Sequence, residues 1–138
     1  MASPSPHSQP EFFVDRSLGR HQVADALRQA GWKLRKHVEV FAARDESVAD
    51  VEWLEYCGHE GLIVLAKDRR LRYRPSEIAV IKEYRLKAFV LSSANLKAAE
   101  QIRRFLDNAE RIKEACTRTG PFIYSVQTRR IARLFPPP

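Results

Sequence analysis

Apolar residues fall in short runs separated by polar turns, and the spacing inside successive runs changes between two-residue and helical periods. Glu11 to Asp15 (EFFVD) predicts a strand that ends on an acid. After a Ser-Leu-Gly turn, Val23, Ala24, Ala26, Leu27 and Ala30 recur at helical spacing until Gly31 stops the pattern. Leu34, Lys36, Val38 and Val40 alternate with polar residues and predict a second strand. Ser47-Val48-Ala49-Asp50 has the form of a capping box, ahead of Val51, Trp53, Leu54 and Cys57 on one face of a short helix running to about Gly58. Leu62 to Ala66 is apolar on both faces and closed by Lys67-Asp68, which fits a covered central strand of a parallel sheet. Pro75 and Ser76 open a helix through Ile78, Val80, Ile81 and Tyr84, and Lys87 to Ser92 (KAFVLS) predicts a fourth strand. Asn95 is placed to cap one long helix with the stripe Leu96, Ala99, Ile102, Phe105, Leu106, Ala109, Ile112 and Cys116, ending near Gly120. Phe122 to Val126 (FIYSV) gives a last strand, followed by a basic segment from Arg129 to Arg133 and by prolines 136 to 138, which cannot extend a sheet.

Repeated βα units imply an α/β domain with a mainly parallel sheet and helices on its faces. The 138 residues suit one domain over 11–135, between a Pro/Ser-rich tail at 1–10 and a proline tail at 136–138. Apolar residues make up 44% and charged residues 30%, so the chain can bury a core without metal or disulfide staples. No apolar run approaches the roughly 20 residues that cross a bilayer, so no membrane partner is expected. The opening MASPSPHSQP has neither the basic start nor the apolar stretch of a signal peptide. Cys57 and Cys116 sit in apolar-patterned segments, as buried thiols of a reducing cytoplasm do, and no disulfide is expected.

Charge changes this picture from a generic α/β domain to one with a polarised surface. The net charge is +7, but the chain up to Arg69 carries −2 and the remainder +9. A basic surface favours phosphate backbones, and an acidic region meets such a polymer best through a cation. Three acids occupy the places where open α/β sheets bind ligands: Asp15 ends the first strand, Asp68 ends the strongest one, and Asp50 starts the helix leading into it. Carboxylates that converge in a partly desolvated crevice repel one another, and Mg²⁺ or Mn²⁺ relieves this with a preference for oxygen ligands. Such a metal makes a nucleophile of bound water and stabilises charge on a phosphate. Each acid also has a structural role open to it: Asp15 as a cap of the next turn, Asp50 as the capping-box partner of Ser47, Asp68 as one charge in a solvated loop.

FFVDRSLGR (12 to 20), DVEWLEYCGHEGLIVLAKDRRLRYRP (50 to 75) and KAFVLSSANL (87 to 96), in that order and spacing, resemble the PIN-like domain family that includes VapC-type ribonuclease toxins. The likeness covers Glu11 to Val126. It implies a three-layer α/β/α fold, Mg²⁺- or Mn²⁺-dependent endoribonuclease activity, membership of a type II toxin-antitoxin system, and neutralisation by a cognate antitoxin protein. It assigns Asp15, Asp50 and Asp68 as catalytic and metal-binding acids. Full-length members add an acid from a helical insertion that has no counterpart here. Glu46, one helical turn before Asp50, is the preferred substitute, since Glu52 at i+2 lies on a different face.

Arg16 and Arg20 flank the first acid, while Lys67, Arg69, Arg70, Arg72 and Arg74 surround the third, with Tyr73 able to stack on an unpaired base; together they are the candidate RNA-binding rim. The same residues also read as a basic loop kept soluble by its charges. Trp32 and Trp53 fit core positions. His21, His37 and Cys57-x-His59 lack zinc-ligand spacing, and Ser92-Ser93 has no nucleophile-elbow glycines. Two other functional classes stay open: a catalytically silent PIN-like module that binds nucleic acid or a protein partner, and a phospho-accepting receiver-like domain. The second needs a pair of acids after the first strand, where this chain has Asp15 followed by Arg16. A homodimer is an option that the sequence leaves undecided.

Overall fold

The structure, a computed structural model, describes residues 9–67, 74–91 and 95–138. Its strands are β1 (Glu11–Val14), β2 (Lys33–Lys36), β3 (Ile63–Ala66), β4 (Lys87–Leu91), β5 (Phe122–Val126) and β6 (Ile131–Phe135). Its helices are α1 (Gln22–Gln29), α2 (His37–Phe41), α3 (Asp50–Glu60), α4 (Pro75–Glu83), α5 (Ala98–Asp107) and α6 (Ala109–Ala115). The strands form one sheet in the order β2-β1-β3-β4-β5-β6, parallel from β2 through β5, with β6 antiparallel at the edge.

Residues of one strand alternate between two apolar layers, which makes the architecture three-layered. Phe12 and Val14 of β1, with Ile63 and Leu65 of β3, pack under α1, α5 and α6 through Val23, Leu27, Phe105 and Ile112. Phe13, Val64 and Ala66 face the other way, against Trp53, Leu54 and Cys57 of α3 and Val80 and Ile81 of α4. All four residues of β3 are buried, because a central parallel strand has helices over both faces. At 25 cal/mol per Å², each fully buried Leu or Phe in these layers contributes roughly 2 kcal/mol before entropy. Both cysteines are free, Cys57 buried and Cys116 half-buried. No helix among the described residues is long and apolar enough to cross a membrane.

Several elements differ from the sequence expectation. The strand expected through Val40 stops at Lys36, and Val38 and Val40 lie in α2, with the Glu39 carboxylate accepting from the Lys36 N–H at 2.9 Å. Ser47 does not cap α3: the N-cap is Ala49, in extended conformation, and the Ser47 hydroxyl donates to the Arg44 carbonyl. Nor does α3 stop at Gly58; it continues to Glu60, and Gly61 ends it at φ +69°, where L side chains are strained. The long helix from Asn95 is two helices, with Lys97 rather than Asn95 at the N-cap of α5. Between them Asn108 is fully buried, its amide donating to the carbonyls of Arg104 and Gln127 at 2.8 and 2.7 Å. This amide clamps the break between the helices onto the turn after β5, and Leu106 of the expected stripe is 36% exposed. The basic segment after β5 contains the unexpected edge strand β6.

Candidate active site

The carboxyl ends of β1 and β3 are held together by backbone and side chain in turn. Asp15 follows β1 directly, and its N–H donates to the Leu65 carbonyl at 2.9 Å. One of its carboxylate oxygens accepts from the Ser17 N–H at 3.1 Å, an Asx-type turn that opens the 3-10 turn Arg16–Leu18. The Ser17 hydroxyl in turn accepts from the Lys67 N–H at 2.9 Å. Ser17 therefore ties the acid after β1 to the residue that leads into Asp68. Asp15 is only 7% exposed. Burial raises its carboxyl above the ordinary range, against smaller lowering by the Ser17 hydrogen bonds and by the nearby His37.

Asp50 approaches from the opposite layer. It is the first residue of α3, whose N-terminal end lies above the carboxyl edge of the sheet because the helix leads back into β3. One carboxylate oxygen accepts from the Trp53 indole N–H at 2.9 Å, and the other from an Arg74 guanidinium N–H at 2.9 Å. That Arg74 nitrogen also lies 3.3 Å from the buried Glu77 carboxylate, whose second oxygen accepts from the Ser76 hydroxyl at 2.6 Å. The Trp53 ring stacks on Phe13 at 5.5 Å and 14°, so the two acids are linked through one aromatic pair, two residues from Asp15 and three from Asp50. Cys57 shares this interior: its thiol is pushed up, first by burial and then by the charge of Asp15.

Beside Phe13, a buried His37 Nδ1 lies 2.6 Å from Asp45, and the second oxygen of Asp45 accepts from Arg20 at 3.2 Å. Arg20 also bonds Glu46 at 2.6 Å, so this candidate rim residue braces the loop before α3. Glu46 lies in a turn and is exposed, not one helical turn before Asp50, since the chain is extended at Ala49 and α3 begins only at Asp50. Its helical register with Asp50 is therefore corrected. Arg74 is half-buried and turned onto Asp50 and Glu77, while Arg16 is exposed beside Asp15 and Lys67 half-buried at the end of β3. Asp68, Arg69, Arg70, Arg72 and Tyr73 lie outside the described residues.

Among the described residues no group of three or more His, Cys, Asp or Glu is gathered as metal ligands. Asp15 and Asp50 themselves present only carboxylate oxygens, the donor type that hard divalent cations take. One is a desolvated carboxyl that a cation would relieve, and the other already holds a positive group. These two residues fit Mg²⁺ or Mn²⁺. Sequence reading did not single out Ser17, Glu77 or the His37 and Asp45 pair. A hydroxyl two residues after a strand-ending Asp was a usable signal for Ser17; the other contacts join residues too far apart in the chain to be read.

A family model described as PIN like domain matches residues 10–93. Over 123 residues the chain is 32% identical to a Mycobacterium tuberculosis protein named "Putative ribonuclease VapC45", covering 88% of this chain and 89% of that protein. No solved structure matches.

Proposed function

The chain belongs to the PIN-like domain family, and from that membership we propose that it is a VapC-type, Mg²⁺- or Mn²⁺-dependent endoribonuclease, the toxin of a type II toxin-antitoxin pair. The observation that carries the reading is Asp15, a buried carboxylate with a raised pKa at the carboxyl end of β1, tied through Ser17 to the end of β3. Burying a carboxylate without a full set of donors costs stability, and such a cost is retained where function uses the charge.

Asp15, Asp50 and Asp68 are the residues that would hold the metal. When bound, it would lower the pKa of a water and neutralise charge developing on the scissile phosphate. Arg74 holds the Asp50 carboxylate in one orientation, and Trp53 fixes its other oxygen. Arg16 and Lys67, with Arg69, Arg70, Arg72 and Tyr73, supply the cationic and stacking contacts that would seat the RNA on either side of the acids. Neutralisation by a cognate antitoxin follows from the same reading, with a group that covers these acids or competes for their cation.

One observation favours a second reading, a silent module that binds nucleic acid or a partner: both oxygens of Asp50 are already hydrogen-bonded within the protein. Incubating the purified protein with total RNA, with Mn²⁺ and with EDTA, alongside Asp15→Asn and Asp68→Asn, separates the two. Cleavage that needs Mn²⁺ and falls by roughly 100-fold or more in each variant supports the nuclease. Absence of cleavage, or cleavage indifferent to EDTA and to Asp15→Asn, favours the silent module.

A further inference from the structure

A second cationic feature lies away from the acids. Between α6 and the turn joining β5 to β6 is a surface cavity of about 470 Å³, lined by Arg111, Glu114, Arg118, Tyr124, Arg129 and Arg130. Four arginines face one carboxylate. Arg118 is already satisfied, bonded to both oxygens of Glu114 at 3.1 Å and to the Tyr124 hydroxyl at 2.7 Å. Among the described residues the Arg111 side chain makes one long bond, to the Asp107 carbonyl at 3.3 Å. Arg129 and Arg130 are exposed, and their guanidinium groups make no hydrogen bond or ion pair among the described residues.

Their backbone, in contrast, is fixed. The Gln127 N–H donates to the Arg130 carbonyl at 2.8 Å and closes the turn, while the buried Asn108 amide holds the Gln127 carbonyl at 2.7 Å. Two unpaired guanidinium groups on a pinned turn are poised for an anionic ligand without a large ordering cost. The turn's position gives that ligand a direction. Because β5 runs parallel to β1 and β3, residues 127–130 follow its carboxyl end and lie along the same edge of the sheet as Asp15 and Lys67. Two strand spacings separate β3 from β5, roughly 10 Å.

We infer that this groove is a second binding site for single-stranded RNA, in which phosphates of the substrate strand away from the scissile bond sit against Arg111, Arg129 and Arg130. The inference rests on the nuclease reading for the identity of the strand. The chemistry of the lining favours a phosphate polymer over an acidic protein segment. A protein segment needs apolar anchors in pockets, and the apolar part of this cavity is Ile131 and the ring of Tyr124, which is already stacked on Phe89. A phosphate backbone binds through guanidinium forks and counterion release.

The test is fluorescence anisotropy with a short fluorescein-labelled single-stranded RNA in EDTA, so that binding is read without cleavage. Arg129→Ala/Arg130→Ala should weaken binding by about tenfold, equally for two unrelated sequences, and make the slope of log K against log salt shallower by about 1.4. Lys33→Ala/Lys82→Ala removes the same charge at the opposite end of the sheet and should keep affinity within about twofold. Both pairs are exposed, so melting temperatures should match the parent protein. Equal losses in the two double variants, or wild-type affinity and slope in the arginine variant, overturn the inference. So does an arginine variant that keeps RNA binding but loses binding to polyglutamate. A parent protein that binds RNA through these arginines yet cleaves none in Mn²⁺ defeats the nuclease reading and leaves the groove standing. One that cleaves while the arginine variant binds normally does the reverse.

Discussion

Asp15 and Asp50 carry the same functional group to the same end of the sheet, but the protein treats their charges in opposite ways. Asp15 is buried with Ser17 as its donor, and its carboxyl is raised. Asp50 stands at a helix start, 37% exposed at the side chain, with an indole and a guanidinium on its two oxygens. One acid is desolvated at a cost, and the other is kept in place by the charge of Arg74, the N-cap residue of α4. The difference follows from where each acid stands: the end of a strand gives a desolvated carboxylate, and a helix terminus gives a clamped one.

The comparison breaks most visibly at Arg74. Removing it strips Asp50 of its cation and also leaves Glu77, only 4% exposed, as a buried carboxylate with Ser76 as its remaining side-chain donor among the described residues. Arg74→Ala should therefore cost about 2 kcal/mol, read by urea denaturation, and a second change, Glu77→Gln, should recover much of it. An Arg74→Ala protein with unchanged stability would mean that Asp50 is no more clamped than Asp15.

A smaller contrast comes from neutralising each acid in EDTA. The folded-state pKa of Asp15 lies above its unfolded value, so the native protein holds the extra proton between the two. Stability falls as pH rises through that window, and above it the ionised carboxylate is a cost. Asp15→Asn should thus leave the melting temperature at pH 7 equal or higher, with the advantage fading as pH drops below the raised pKa. Asp50→Asn loses an ion pair that is partly solvent-screened and should lower stability by under about 1 kcal/mol. Opposite signs sharpen the comparison; equal signs dissolve it.

These two acids also show what the sequence could convey. Asp15 was legible because β1 is a continuous apolar run whose end is marked by the acid itself, and Asp50 because Trp53, Leu54 and Cys57 follow at helical spacing. Their electrostatic difference was not. Arg74 reaches Asp50 across 24 residues, and burial of Asp15 depends on layers contributed by several distant elements. The same division holds for the fold. Strand β3 announced itself by four buried residues, whereas β6 is an edge strand whose residues are mostly half-buried on both faces, so Ile131, Leu134 and Phe135 show no clean two-residue period. At Val38 and Val40 the spacing fits a strand or one turn of helix, and the Glu39 cap on Lys36 settled it for the helix.

The finest difference between the acids is the hydroxyl of Ser17. It lowers the Asp15 pKa through its own hydrogen bond while accepting from the Lys67 N–H, so it couples the charge at β1 to the backbone at β3. In Ser17→Ala the backbone N–H of residue 17 still reaches Asp15, and water can replace the hydroxyl at half-buried Lys67. The stability loss should therefore be about 0.5–1 kcal/mol. The diagnostic change is electrostatic. With one lowering hydrogen bond gone and burial unchanged, the Asp15 carboxyl should titrate higher still in a ¹³C NMR pH series, and Ser17→Thr should restore it. The same upward shift should move the acidic limb of an RNA-cleavage pH profile to higher pH, because an Asp15 that protonates sooner loses its charge sooner. If the Asp15 titration in Ser17→Ala coincides with that of the parent protein, the hydroxyl is a backbone brace alone and the charge at β1 is set by burial without it.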